Sequence, residues 1–286
     1  MSHILLKSLL REIEQEEVKQ PKRTLSYEEA LKKIPIECSE TIEAYQGNSA
    51  RLYRGDNREN FLYIDPTKNL RKSANTSNFY TALISLLGTW KKAGIPERSK
   101  SVVFSNGFNG AFGYGSYVHM VFPVNGAKIA HGTATDNWNN HRKTSMDIFG
   151  YNYCVSNFND LLQRILASSD ATLAAQNFDL SKLQEYINQA DEALKNKSES
   201  DIVDYSRDRI IAIKKYGLWN AIKHYIDPVA NGIEAISIKD LQSIQENRLE
   251  CWTDSPCYFI STHNSSEAEK LFAKIKVDIP YGVKNY

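Results

Sequence analysis

Three polar residues of this sequence stand in or at the ends of predicted strands and carry side chains suited to one kind of chemistry. Arg54 ends a short strand before a turn, Ser105 ends a strand of Val and Phe residues, and Glu250 lies in a strand that follows a helical block. A guanidinium binds phosphate anions in bidentate fashion, and a carboxylate stabilises positive charge that develops on a sugar carbon. A serine hydroxyl orients either partner.

Each of the three residues also has a simpler interpretation when it is taken alone. Arg54 is most simply a surface arginine, because that is the usual fate of arginine. Ser105 is most simply a turn residue before Asn106 and Gly107. Glu250 is most simply a charge that protects an edge strand from aggregation. Their order along three predicted strands is what favours a shared site.

Four short segments carry these residues and the strands beside them: 51–56 (RLYRGD), 98–106 (RSKSVVFSN), 117–130 (YVHMVFPVNGAKIA) and 250–261 (ECWTDSPCYFIS). Together they resemble mono-ADP-ribosyltransferases of the arginine–serine–glutamate type, in which an arginine strand, a serine strand and a glutamate strand follow in this order. The resemblance covers residues 48–165 and 248–280. It implies an α+β fold with an ADP-ribosyltransferase-like split β-sandwich core.

The resemblance also implies an activity, which is the transfer of ADP-ribose from NAD to a host macromolecule with release of nicotinamide. Arg54, with Gly55 beside it, would bind the pyrophosphate of NAD. Ser105 would orient the ribose or the carboxylate. Glu250 would stabilise the oxocarbenium-like transition state at the ribose carbon.

Aromatic residues are the candidates for a slot that holds nicotinamide. Tyr80 and Phe112 are the cofactor-binding candidates, and Phe108 and Tyr114 could supply the same stacking. The last three lie in the glycine-rich loop Gly107–Gly115, which is interpreted as a flap, although structural and site-lining roles both stay open. Aromatic residues of any kind are more often part of a core.

Two positions depart from the pattern of that family. Asn106 follows Ser105 where the family has Ser-Thr-Ser, and Arg248 stands two residues before Glu250 where arginine-modifying members carry Gln or Glu. An arginine acceptor is therefore not supported. The alternative is a non-catalytic virion-associated or partner-binding protein built on the same fold. Residues 72–81 and 96–105 also resemble uncharacterised proteins of T-even-like tailed phages, which implies a phage protein.

Other sites of catalysis or metal binding are not favoured by the sequence. Asp136 is a rival carboxylate, but the Asp-Asn pair predicts a turn first. His119 and His131 could join it in a metal site, yet His119 alternates with apolar strand residues and is interpreted as a structural histidine. The phosphate-binding motifs GxGxxG and GxxxxGK[ST] are not found in the sequence. No metal site is predicted.

Composition limits the partners and the compartment. The chain has 286 residues with 35 Lys and Arg against 34 Asp and Glu, a net charge of +1, so tight nucleic-acid binding is not favoured. The sequence has no apolar run of membrane-spanning length, and its N-terminus does not read as a signal peptide. The four cysteines show no metal-ligand spacing and predict free thiols in a cytoplasmic protein, either in the host cell or in association with a virion.

The apolar pattern divides the chain into three predicted parts. Residues 1–46 are expected to form an N-terminal helical segment, residues 47–166 with 248–286 an α+β core, and residues 167–247 a helical insertion.

Local signals predict several elements within these parts. Ser26 and Glu29 form a capping-box pattern that begins a helix, and Pro35 is expected to end it. The strands 117–122 and 127–130, joined by Pro-Val-Asn-Gly, predict a β-hairpin. Helical patterns are also found over residues 5–13, 77–92, 183–194 and about 201–216, the last ending at Gly217. Ser237 and Asp240 could begin one more helix at the end of the block.

Overall fold

Strands from both sides of the predicted helical block, together with one strand from within it at 234–237, form one sheet in the computed structural model. They are β1 (Lys22–Thr24), β2 (Tyr53–Asp56), β3 (Leu62–Ile64), β4 (Val102–Ser105), β5 (Tyr117–Pro123), β6 (Lys128–His131), β7 (Glu234–Ser237), β8 (Glu250–Thr253) and β9 (Cys257–Ser261). The nine strands are ordered β1-β3-β9-β5-β2-β4-β8-β6-β7, and every registered pair is antiparallel.

The chain divides into two compact units, and each is described by itself. The sheet unit consists of residues 19–71, 90–137 and 232–286, and the helical unit of residues 1–18, 72–89 and 138–231. The structure describes residues 22–46, 49–59, 61–68, 78–133, 141–152, 155–169, 180–244, 249–263 and 265–279. The helix predicted over residues 5–13 lies outside these ranges.

The sheet has a narrow junction between β2 and β4. These two strands share one registered pair, Tyr53 with Ser105, whereas β2 shares four pairs with β5 and β4 shares four pairs with β8. The junction therefore separates five strands on one side from four on the other. The predicted α+β class is confirmed, and its strands form one large antiparallel sheet. The split β-sandwich of the ADP-ribosyltransferase type stays a prediction.

Two helices near the N-terminus pack on the sheet. They are α1 (Tyr27–Glu37) and α2 (Ser39–Gln46), and the predicted capping box of Ser26 and Glu29 begins α1. The prediction that Pro35 ends this helix was wrong. Pro35 lies inside α1, because the Cys38 N–H still reaches the Ile34 carbonyl at 3.0 Å and the core buries both of those residues.

The predicted β-hairpin does not form. β5 lies between β9 and β2, whereas β6 lies between β8 and β7. The connecting turn is bound to the helices instead, since Asn125 donates its backbone N–H to the Glu37 carbonyl at 2.7 Å and its side-chain amide to the Ile36 carbonyl at 3.0 Å. These bonds direct the chain away from β5. The predicted turn is therefore present, but the two strands that it connects do not pair with each other.

The helical unit contains most of the predicted helical block and three stretches from outside it, which are residues 1–18, 72–89 and 138–166. Its helices are α3 (Asn78–Leu87), α6 (Arg142–Phe149), α7 (Val155–Ser169), α8 (Leu183–Asn196), α9 (Arg207–Tyr216) and α10 (Leu218–Tyr225). The periodicity over 183–194 is confirmed, because all four apolar residues of that stripe are buried. The helix predicted over 77–92 is broken at Gly88, whose φ of +58° ends α3 before a short helix α4 (Thr89–Lys92).

These packing arrangements place the divisions of the chain differently from the sequence prediction. Residues 27–46 belong with the sheet, because Ala30, Ile34, Ile42 and Tyr45 lie in its apolar core. Helices α3, α6 and α7 belong with the helical unit rather than with the core to which residues 47–166 were assigned. Periodicity shows which face of a helix is buried but not which surface covers it.

Candidate functional site

The three residues singled out from the sequence lie on three neighbouring strands of the sheet unit. Ser105 on β4 stands directly opposite Tyr53 on β2 and directly opposite Glu250 on β8. Arg54 follows Tyr53 on β2. Residues directly opposite one another in antiparallel strands project from the same face, so Tyr53, Ser105 and Glu250 share one face at the narrow junction. Arg54 is the next residue along β2 and therefore projects from the other face, where His119 stands opposite it on β5.

Ser105 occupies the end of β4, where the chain turns away from the sheet. It is largely buried, and its Oγ accepts a hydrogen bond from the Gly107 N–H at 3.1 Å. This is the turn contact expected of a serine before Asn-Gly. The serine is therefore held in one place by its own turn while facing Glu250 across the strand pair.

The guanidinium of Arg54 spans the junction between the two halves of the sheet. Its Nη1 donates to the carbonyl of Val103 on β4 at 2.7 Å. Its Nε is buried and has no hydrogen-bond partner among the described residues. Burial lowers the pKa of this guanidinium, and the nearby Asp56 carboxylate opposes that shift. A half-buried cation with one buried, unused donor is suited to an anionic ligand.

Glu250 begins β8 and forms an ion pair that the sequence did not predict. Its Oε1 contacts Nη2 of Arg98, and the two side chains are only 14% and 8% exposed. Arg98 lies in the short 3-10 turn Arg98–Lys100 that leads into β4. No local sequence pattern marks this arginine, because only the pairing of β4 with β8 brings it to the glutamate.

Asn106 is a second residue whose role the sequence did not reveal. Its Oδ1 accepts a hydrogen bond from the Leu249 N–H at 2.7 Å, and its own backbone N–H donates to the Leu249 carbonyl at 3.2 Å. The residue that departs from the Ser-Thr-Ser pattern thus fixes the strand at the position just before Glu250.

Replacing Asn106 by alanine is expected to lower the free energy of unfolding by about 1–3 kcal/mol, because the buried Leu249 N–H would lose its acceptor. Asn109→Ala is the matched control, since Asn109 is exposed on the surface. Urea unfolding of both variants measures the difference. Equal midpoints for the two variants would contradict the role assigned to Asn106.

The glycine-rich loop contains a short helix that packs beside β2. Helix α5 (Phe108–Phe112) places the Phe108 ring edge-on to the Tyr53 ring with 5.7 Å between centroids. Phe112 is 51% exposed and Tyr114 is 77% exposed. Of the aromatic candidates in this loop, these two therefore present open ring surface on the unit that carries Ser105 and Glu250.

Gly55 lies where the loop crosses β2. A Cβ at this position would stand 2.4 Å from the Ala111 carbonyl oxygen and 2.8 Å from the Gly115 nitrogen, and a Cβ on Gly115 would stand 2.4 Å from the Asp56 nitrogen. The backbone of the glycine-rich loop is thus what approaches Gly55 closely. This close approach packs the aromatic loop against β2, the strand that carries Arg54.

Replacing Gly55 by alanine is expected to cost about 1–3 kcal/mol of unfolding free energy, because backbone atoms on both sides block the new methyl group. Gly113→Ala is the matched control in the same loop, where an added Cβ meets nothing within 4 Å. The comparison requires urea unfolding of both variants. A Gly55→Ala protein as stable as Gly113→Ala would show that the crossing is not tight.

Of the other candidates, Tyr80 and His119 lie among the described residues. Tyr80 lies in α3 of the helical unit, where it is fully buried and its hydroxyl bonds to Nε2 of His141. Asp136 and Arg248 lie outside the described residues. His119 is buried on β5 opposite Arg54.

Metal ligands, cavities and cysteines are the other features that could indicate a functional site. Within the described ranges no group of three or more His, Cys, Asp or Glu side chains could hold a metal ion. A cavity of about 470 Å³ in the sheet unit is lined by residues such as Ser26, Phe61 and Ser265 and by none of the three site residues. Cys38, Cys251 and Cys257 are buried free thiols, and burial raises the pKa of each.

The chain matches no protein-family model, no curated protein and no solved structure. Of the helices that the structure describes, none combines the length and the apolar character needed to cross a bilayer.

Proposed function

We propose that this protein transfers ADP-ribose from NAD to a macromolecular acceptor of the host cell and releases nicotinamide. The observation that carries the proposal is the register of the sheet, in which Ser105 stands directly opposite Glu250 across one strand pair, while Arg54 lies on the next strand and projects from the other face at the junction. Two residues far apart in the chain and chosen for their chemistry, Ser105 and Glu250, thus meet across adjacent strands. The site of action is the host cytoplasm, with the virion as the alternative, because of the resemblance to phage proteins.

Arg54, Glu250 and Ser105 each have a separate role in the proposed reaction. Arg54 binds the pyrophosphate at the narrow junction, which its half-buried guanidinium spans to the Val103 carbonyl and where its Nε is the donor left for the anion. Glu250 stabilises the positive charge on the ribose as the bond between the ribose carbon and nicotinamide breaks and its electron pair leaves with nicotinamide. The acceptor then bonds to that carbon and releases a proton. Ser105 limits the motion of the ribose beside the carboxylate.

The exposed aromatic rings of the loop suit the remaining requirement, which is a surface for nicotinamide. Phe112 offers the ring named from the sequence, and Tyr114 offers a second one. Tyr80 is not part of this proposal, because its ring is fully buried in the other unit.

Incubation with NAD labelled on the adenine side and a bacterial lysate tests the transfer. The expected result is label on macromolecules, which depends on both the protein and the lysate. Label that appears only as free ADP-ribose would replace the transferase by a hydrolase at the same site. No conversion of NAD with or without lysate would contradict the proposal.

A non-catalytic partner-binding protein is the second candidate, and one observation favours it. Glu250 is already engaged by Arg98 in a largely buried ion pair, as a purely structural glutamate would be. Under this candidate the protein does not consume NAD, and Glu250→Gln changes stability alone.

A further inference from the structure

The ion pair of Arg98 and Glu250 is built from fixed parts. The Arg98 guanidinium carbon lies 5.3 Å from the centre of the Trp252 ring, and Trp252 is two residues beyond Glu250 on β8. The Trp252 indole N–H donates to the Pro96 carbonyl at 3.0 Å. Strand alternation places Glu250 and Trp252 on one face, so a single face of β8 carries both contacts of the arginine.

The backbone of Arg98 is fixed as well. Its carbonyl accepts a hydrogen bond from the Ser101 Oγ at 2.8 Å, within the turn that leads into β4. The Arg98 side chain is 8% exposed, so its guanidinium is largely shielded from water. An arginine anchored at both ends restricts the carboxylate that it contacts, because a planar guanidinium binds carboxylates with defined geometry.

We propose that Arg98 is a positioning residue for Glu250, whose guanidinium holds one carboxylate oxygen and thereby fixes the direction of the carboxylate toward the reacting ribose. This inference rests on the proposed function. The reaction itself is unchanged: nicotinamide leaves with the bonding electron pair, and the acceptor supplies the new bond and loses a proton. Arg98 contributes by holding Glu250 and contacts neither nicotinamide nor acceptor.

The test compares kcat and KM for NAD in wild type, Arg98→Ala and Arg98→Lys. We expect Arg98→Ala to lower kcat by about 10- to 100-fold, because a misdirected carboxylate stabilises the transition state poorly, and to change KM for NAD by less than about threefold. Added guanidinium ion, below the concentration that unfolds the protein, is expected to restore part of kcat. Arg98→Lys should fall between the two, since ammonium keeps the charge but not the planar geometry.

The matched control is Arg23→Ala, because Arg23 pairs with Glu29 in an exposed ion pair of the same unit. Guanidinium should not raise its kcat. An Arg98→Ala protein with wild-type kcat, or one whose lost activity guanidinium cannot restore, would overturn the positioning role. If that variant does not fold, a kcat of Arg98→Lys equal to wild type overturns it. If wild type itself releases no nicotinamide, the proposed function fails, and this inference fails with it.

Discussion

Replacing Glu250 by glutamine is expected to slow nicotinamide release by at least about 100-fold while the sheet stays folded. The amide has nearly the shape of the carboxylate, and its oxygen can still accept a hydrogen bond from Arg98. It has no negative charge with which to stabilise the ribose as nicotinamide leaves. The rate should therefore fall through kcat, with circular dichroism unchanged.

Glu234→Gln is the matched control for this substitution. Glu234 begins the four-residue strand β7 as Glu250 begins the four-residue strand β8, and it is paired to His131 at 3.3 Å. The Glu234→Gln variant should release nicotinamide at the wild-type rate. Nicotinamide release by Glu250→Gln at the rate of Glu234→Gln and wild type would remove Glu250 from the catalytic role.

The second large effect is a loss of stability in acid that one histidine causes. His141 is buried in the helical unit, where Nδ1 lies 2.7 Å from the Tyr225 carbonyl, Nε2 bonds to the Tyr80 hydroxyl, and its ring stacks on that of Tyr225. Burial lowers the pKa of His141 from 6.5 to about 4, although the hydrogen bond to the Tyr225 carbonyl opposes this shift. The folded helical unit thus holds the neutral imidazole.

The sign of the pH effect follows from linkage. Above pH 6.5 neither the folded nor the unfolded chain protonates this histidine, whereas between pH 6.5 and about 4 only the unfolded chain does. The stability contributed by neutral His141 is therefore present above pH 6.5 and falls with pH, by about 3 kcal/mol near pH 4.

Urea unfolding from pH 7 to pH 4 measures this loss when wild type is compared with His141→Gln. The glutamine can bond both neighbours but does not titrate, so its unfolding free energy should fall by about 3 kcal/mol less over this range. The difference between the two proteins isolates His141 from the carboxylates that also titrate. Parallel curves would show that His141 does not govern the acid response.

The elements that could be predicted from the sequence are those fixed by neighbours along the chain. Ser26 and Glu29 begin α1 through a capping box that needs only four residues of chain. The apolar stripe of α8 and the strands that carry Ser105 and Glu250 were visible as periodicity and strand-type residues.

The features that could not be predicted depend on which surfaces meet. The sequence around Asn125 predicts a hairpin turn, but this residue instead donates hydrogen bonds to two carbonyls of α1, which no local pattern indicates. Tyr80 is a plausible stacking residue by type alone, and only packing shows it buried against His141. Arg98 became relevant only through strand pairing, because nothing near it in the sequence indicates Glu250.

The most direct test of the central claim is a time course of nicotinamide release from NAD by the purified wild-type protein, with and without bacterial lysate. The account predicts release that increases with protein concentration, is faster with lysate and is lost in Glu250→Gln. Absence of release under both conditions, from a protein shown to be folded, would contradict it and favour the partner-binding alternative.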